Sequence, residues 1–174
     1  MKQSLQKKSK SSNKLLKQAL VEDIFSKISN EYDFMNDLMS FRLHRLWKEE
    51  FVNLMNLNKD NIVLDVASGS GDLINLIKRN YECKCVGLDS SINMLKVSEE
   101  KINYQKVFFV NGRAEKMPFK TKSFDAVTVS FGIRNFSDIE QSLSEIKRVL
   151  KNKGKFYCLE FSEINNFYFR EIFN

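Results

Sequence analysis

The sequence predicts an α/β protein, a doubly wound sheet of parallel strands with helices on its faces. Three observations carry the prediction. Short β-branched runs alternate with segments whose apolar residues recur at helical spacing, from about residue 61 to residue 161. The first of these strands passes through a glycine turn straight into a helix, in Leu64-Asp65-Val66-Ala67-Ser68-Gly69-Ser70-Gly71-Asp72. The length of 174 residues, 43% of them hydrophobic and 15 of them Phe, suits one domain with a sizeable core.

Taken in order, residues 1–13 are rich in Lys, Ser and Gln and read as a disordered tail. Six lysines and no acid fall within the first 21 residues, and without those six the chain holds 22 basic and 22 acidic residues. The net charge of +6 therefore belongs to the tail, which argues against a nucleic-acid-binding body. The tail is acid-poor and Ser-rich like a transit peptide but contains no Arg, so solvation, targeting and a weak anionic-membrane contact all stay open. Residues 14–57 read as helical, with Leu15, Leu16, Leu20, Ile24, Phe25 and Ile28 on one stripe, and Phe51, Val52, Leu54 and Met55 on a later one. These helices form either a lid over a ligand cleft or plain packing, since Met and Phe at this spacing serve both. His44 is the only histidine, which excludes a two-His relay or a His-based metal cluster.

The core, residues 58–174, starts with a strand at about 61–66 and a helix at 72–79. A strand at 84–88 follows, then a helix capped by Ser91 and running to about Asn103. Strands over Val107–Val110 and Phe124–Ser130, a helix over Asp138–Leu150 and a strand over Lys155–Phe161 complete the alternation. Ligands of such sheets sit beyond the carboxyl ends of the strands, which gathers 69–72, Asp89, 111–115 and 130–135 at one crevice. No apolar stretch approaches the roughly 20 residues of a membrane span. Cys83, Cys85 and Cys158 lack zinc or redox spacing and read as free thiols, the first two facing one side of a strand.

Glycine tolerates positive φ and lets a ligand approach the main chain closely, and the helix that follows offers free N–H groups. The dinucleotide fingerprint G-x-G-x-x-G is broken here, because Ile74 stands at its third position. Asp89, 20 positions after Gly69, can still hold the two hydroxyls of a ribose. A ribose site without a good pyrophosphate turn suits S-adenosylmethionine better than NAD. A glycine turn that merely connects strand and helix is the bland alternative.

Two further stretches resemble the UbiE/COQ5 family of quinone-biosynthesis C-methyltransferases, within the class I S-adenosylmethionine-dependent enzymes. One is Tyr32-Asp33-x-Met35-Asn36-x-x-Met39-Ser40 with His44 and Trp47; the other is Arg148-Val149-Leu150-Lys151, Gly154 and Leu159-Glu160-Phe161-Ser162. Ser130-Phe131-Gly132-Ile133-Arg134-Asn135 and Arg113-Ala114-Glu115 with Pro118-Phe119 are similar to its internal segments. The resemblance implies a Rossmann-like fold and methyl transfer to the ring carbon of a polyprenylated benzoquinol or naphthoquinol, with S-adenosylmethionine as the cofactor. It implies cofactor contacts at Ser70, Asp89, Arg113, Ala114 and Ser130, alongside the Gly69–Gly71 backbone. It points to Arg134 for substrate activation, with Asn135, Tyr32 and Asp33 as secondary candidates. A guanidinium keeps its proton, so Arg134 would stabilise a developing phenolate and orient a water, unless it is only paired with an acid such as Asp138. No metal is implied. A lipid-tailed substrate implies transient contact with a membrane surface, in the cytoplasm or on the mitochondrial matrix side, by a homodimer or a quinone-biosynthesis complex.

The sequence departs from the family at Asn152-Lys153, where the family has Pro-Gly, and the expectation is a turn there with Asn in left-handed geometry. Only 13 residues follow Phe161, where the family adds a helix and an antiparallel pair of strands. The last strand is thus expected to form an open apolar edge and the quinol half of the site to be incomplete. Besides the methyltransferase, the sequence leaves open a non-catalytic cofactor-binding or assembly subunit, and a methyltransferase acting on another small molecule. An NAD-dependent oxidoreductase is disfavoured by Ile74.

Overall fold

The computed structural model describes residues 43–160. The tail, the helix expected from residue 14, the segment bearing Tyr32 and Asp33, and everything from Phe161 onward lie outside the described residues. What is described is one parallel sheet with helices α1 (Leu43–Asn53), α2 (Asp72–Asn80), α3 (Ile92–Lys101) and α4 (Ile139–Val149). Its five strands, β1 (Ile62–Val66), β2 (Lys84–Asp89), β3 (Val107–Asn111), β4 (Phe124–Ser130) and β5 (Leu150–Leu159), lie in the order β3-β2-β1-β4-β5. The chain winds outward through β2 and β3, then returns to β4 on the other side of β1. The strand order reverses between β1 and β4, and that junction is where such sheets open a crevice.

Alternation along the strands separates two cores. Val63, Cys85 and Ala126 face Ile74 and Ile77 of α2 and Phe51, Val52 and Met55 of α1 and its end. Leu64, Val66, Val86, Leu88, Val127 and Val129 face Ile146 and Val149 of α4. Burying each such side chain contributes about 1.5–3 kcal/mol, so the sheet is fixed in register from both faces. Of the helical segment expected over residues 14–57, the described part packs into this core through Phe51, Val52 and Met55, whereas Leu54, expected on the same stripe, is exposed. Tyr157 donates its hydroxyl to the Met55 carbonyl at 2.9 Å and meets Phe51 edge-on at 6.2 Å. His44 falls within α1.

Each helix has a local cause. Asp72 in the first turn of α2 and Lys78 and Arg79 in its last complement the helix dipole, and Leu73, Ile74 and Ile77 are its buried stripe. Ser91 caps α3, accepting from the Met94 N–H at 3.3 Å, and Asp138 caps α4, accepting from the Gln141 N–H at 2.9 Å. The bulky Ile74 is accommodated from the opposite side: a Cβ on Gly87 of β2 would lie 2.9 Å from its Cδ1. The close approach of helix to sheet is thus made by a glycine on the strand.

The last strand corrects one expectation. β5 spans Leu150–Leu159, so Asn152 and Lys153 lie inside it, yet the chain doubles back at these two residues as expected: a Cβ on Gly154 would lie 3.1 Å from the backbone N and O of Lys151. Neither residue is left-handed, and the strand begins at Leu150 rather than Lys155. The extra residues are absorbed by a register irregularity, since Phe124 pairs with Leu150 but Ala126 with Lys155. β5 is the edge of the described sheet, and Phe156 on it is 37% exposed. The Arg148–Lys151 motif explains how this part is held. Arg148 donates to the carbonyls of Phe119 (2.7 Å) and Met117 (3.1 Å) and pairs with Glu145 (2.6 Å). Lys151 pairs with Asp125 at 2.8 Å, and Asp125 in turn accepts the Ile62 N–H at 2.9 Å. Cys83 and Cys85 are free, buried and face the same side, their sulfurs 3.8 Å apart, and Cys158 is free and exposed. No helix among the described residues is long and apolar enough to cross a membrane.

Candidate functional site

The carboxyl ends of β1, β2 and β4 surround a crevice of about 440 Å³, lined by residues 67–70, Asp65, Asp72, 89–91, 130–132, Arg134 and Asn135 among others. Its size suits a small organic ligand. A second cavity of about 290 Å³ adjoins it, sharing Ala67, Asp89, Ser90 and Asn135 and adding residues 112–115.

The glycine loop is rigidly specified. Gly69 (φ +53°) and Gly71 (φ +81°) are both left-handed, a region that disfavours side chains. A Cβ at Gly69 would meet open space, whereas one at Gly71 would run into Ile102 and press on Ser98 at 3.3 Å. Ser98, fully buried on α3, donates its hydroxyl to the Gly69 carbonyl at 2.7 Å. Asp89 holds the other side of the loop: its carboxylate accepts the Gly69 N–H and the Ser91 N–H, each at 2.8 Å. Those two bonds orient the group and leave each oxygen a further lone pair for a ligand hydroxyl. Ala67 (φ +56°) and Phe131 (φ +55°) are left-handed without being glycine, and both line the crevice. Such strain concentrates at ligand sites.

Asp65 forms the crevice floor at 2% exposure. Thr128 donates its hydroxyl to Asp65 at 2.7 Å. Burial pushes the Asp65 carboxyl up from the usual 3.8 to about 7, although Thr128 and Lys48 pull it down. Asp65 is in none of the positions read from sequence, though an acid inside the apolar run Ile62-Val63-Leu64-Asp65-Val66 is a signal that could have found it. Lys48 and Ser98 were also missed. Their roles come from long-range contacts, and nothing in the sequence marks them.

The residues singled out from sequence fall as follows. Gly69, Ser70, Asp89, Ser130, Arg134 and Asn135 line the main crevice, and Arg113 and Ala114 line the smaller one. Gly71 shapes the turn behind them, while Tyr32 and Asp33 lie outside the described residues. The Arg113 side chain is 63% exposed, pairs with Glu115 at 3.3 Å and hydrogen-bonds Ser137. Burial raises the Glu115 carboxyl, but the N–H groups of Glu115 and Ser137 and the Arg113 guanidinium outweigh it and hold the group at about 2. Arg134 pairs with Glu160 at 3.4 Å; Asp138, the acid suggested from sequence, caps α4 instead.

The chemistry of this donor set fits S-adenosylmethionine. Asp89 offers acceptors for the ribose hydroxyls, and the buried Asp65 offers a carboxylate for an ammonium. The buried hydroxyls of Ser68 and Ser130, both at the crevice, have no hydrogen-bond partner among the described residues. Buried polar atoms are nearly always paired, so these two call for a ligand or water.

The comparisons with known proteins agree. The chain is 45% identical over 160 residues to the ubiquinone/menaquinone biosynthesis C-methyltransferase UbiE of Rickettsia prowazekii, covering 85% of this chain and 63% of that protein. It is 46% identical over 161 residues to the corresponding protein of Rickettsia typhi, with the same coverage. The chain thus spans a little under two thirds of the length of these relatives. Among solved structures it matches a putative methyltransferase of Bacillus halodurans with a TM-score of 0.64 and 31% identity, over 73% of this chain and 56% of that one. It also matches a chain of the complex between the Haloferax volcanii Trm112 methyltransferase activator and a putative methyltransferase. That match has a TM-score of 0.66 and 25% identity, over 77% of this chain and 58% of the other. These likenesses make the sheet a class I methyltransferase fold. The model of one family matches residues 12–174, nearly the whole sequence, and the chain belongs to the ubiE/COQ5 methyltransferase family.

Proposed function

We propose that this chain binds S-adenosylmethionine in the main crevice and serves methyl transfer to a ring carbon of a polyprenylated quinol, in ubiquinone or menaquinone biosynthesis. The observation that carries the reading is Asp89, fixed by two backbone N–H groups in a crevice that also holds the partnerless Ser130 hydroxyl. The names of the Rickettsia relatives support the acceptor class. Asp89 takes the ribose, the Gly69–Gly71 backbone and Ser70 pass along the methionine part, and Asp65 seats its ammonium. Arg113 and Ala114 border the adenine in the smaller cavity.

When bound, the cofactor supplies an electrophilic methyl group on a sulfonium. The chain's own task is to hold the ring carbon in line with it and to favour the ionised phenol. Arg134, 42% exposed at the crevice, stabilises that phenolate and orients the water that takes its proton, while Glu160 fixes the guanidinium. Asn135, and Tyr32 and Asp33 from the N-terminal segment, complete the acceptor side. The acceptor's lipid tail places the work at a membrane surface, on the cytoplasmic or matrix side, by a homodimer or within a quinone-biosynthesis complex.

The test is transfer of labelled methyl from S-adenosylmethionine to a demethylated quinol, for the parent, Arg134→Lys and Arg134→Ala. Both variants should lose transfer by at least about 100-fold while keeping their affinity for S-adenosylhomocysteine. Transfer at the parent rate in Arg134→Ala would remove that role. Cofactor binding with no transfer by any form would instead favour a non-catalytic cofactor-binding or assembly subunit.

A further inference from the structure

The amino-acid end of the cofactor is zwitterionic, and Asp65 accounts for only its positive group. Two cations among the described residues line the main crevice, Lys48 and Arg134. Arg134 stands on the β4 side, tied to Glu160. Lys48 comes from α1, outside the α/β winding, yet its side chain is only 13% exposed and turns toward the glycine loop. Its Nζ lies 3.7 Å from an Asp72 oxygen, too long for a hydrogen bond, and Asp72 itself is 43% exposed. That loose pair leaves the ammonium able to take a better acceptor. Lys48 also acts on Asp65, whose carboxyl it lowers. One end of the crevice therefore presents a buried carboxylate, a second carboxylate and an ammonium, a mixed-sign set complementary to an α-amino acid.

We propose that Lys48 is a cofactor-binding residue that receives the α-carboxylate of the methionine moiety, opposite Asp65 at its ammonium. This inference rests on the S-adenosylmethionine reading above and adds to it a specificity-determining residue from α1. The helix thereby does more than cover the sheet: it closes the polar end of the site. A ligand with an amino acid on the sulfur should gain from Lys48, and one without it should not.

The experiment is titration of the full 174-residue chain with S-adenosylhomocysteine and, separately, with 5′-methylthioadenosine, which has the same nucleoside but no amino acid. The parent, Lys48→Gln and Lys48→Arg are compared. A charge-assisted bond of this kind is worth about 10- to 100-fold in affinity, so Lys48→Gln should bind S-adenosylhomocysteine that much more weakly. Its affinity for methylthioadenosine should stay within about threefold of the parent, which also shows that the crevice is folded. Lys48→Arg should restore most of the loss. An unchanged affinity for S-adenosylhomocysteine in Lys48→Gln overturns the proposal. An equal fall for both ligands also overturns it, since Lys48 would then only fasten α1. If the parent binds neither ligand, the cofactor reading itself fails and this inference with it.

Discussion

Asp65→Asn should stabilise the protein in a pH-dependent way while weakening its site. The folded carboxyl titrates near 7 because it is buried, and the unfolded group near 3.8. Between those values the folded chain holds a proton that the unfolded chain has released. Stability therefore falls as pH rises through this window, and the cost is complete above about pH 7. At about 1.4 kcal/mol per unit, the raised titration of Asp65 costs the folded state about 4 kcal/mol at pH 8, where it is ionised, and about 2 kcal/mol at pH 5, where it keeps a proton the unfolded chain releases. Asparagine has no charge to bury and still offers Thr128 an acceptor, so it escapes both costs. The variant should therefore gain on the parent by about 2–3 kcal/mol between pH 5 and pH 8, an upper figure because the crevice can relax around the charge. Urea unfolding of both forms at the two pH values measures this difference. Groups with lowered titration, such as Glu115, titrate below this window and cancel between the two forms. A difference between variant and parent that does not change from pH 5 to pH 8 would refute the buried titration. The same variant should bind S-adenosylhomocysteine more weakly at pH 8, the mark of a residue kept for ligand rather than for stability.

Two further substitutions test the framework around the site. Gly71→Ala forces a side chain into a left-handed residue and against Ile102, so unfolding should become easier by about 2–4 kcal/mol and S-adenosylhomocysteine binding should be lost with it. Ala at position 69, where a Cβ meets open space, should unfold closer to the parent. Arg148→Ala strips donors from the Phe119 and Met117 carbonyls and the partner from Glu145. It should lower the thermal midpoint by about 4–10 °C, read by circular dichroism, through a loss of about 2–3 kcal/mol.

Much of this structure was legible in the sequence because the central strands β1, β2 and β4 are buried on both faces. Runs such as Ile62–Val66 and Phe124–Ser130 then stand out as apolar segments bounded by polar turns. The helix cap Ser91 was visible for a similar reason, a short polar side chain just before an apolar stripe, whereas Asp138, expected as the first residue of its helix, proves to be its cap. The start of β5 differs from the expectation because Leu150 already pairs with Phe124, ahead of the turn at Asn152 and Lys153. The continuous ladder with β4 resumes at Lys155, and the turn between is taken up as an irregular register. In the site, Asp89 was readable from its spacing to the glycine loop, whereas Ser98 and Lys48 were not. A serine on an amphipathic helix and a lysine on another look like ordinary surface residues. Only the packing of α3 and α1 against the loop gives them partners, Gly69 and Asp72. The partner of Arg134 was misjudged because Asp138 is close in sequence but committed to capping α4, while Glu160 reaches it from the end of β5.

The central claim is that the crevice beyond β1, β2 and β4 is an S-adenosylmethionine site. Isothermal calorimetry of S-adenosylhomocysteine into the 174-residue chain tests it directly, with Asp89→Ala alongside. The expected result is one-site binding in the micromolar range that Asp89→Ala loses by at least about 30-fold, with both proteins folded by circular dichroism. No heat of binding from a folded parent chain, or equal binding by the variant, would contradict the assignment.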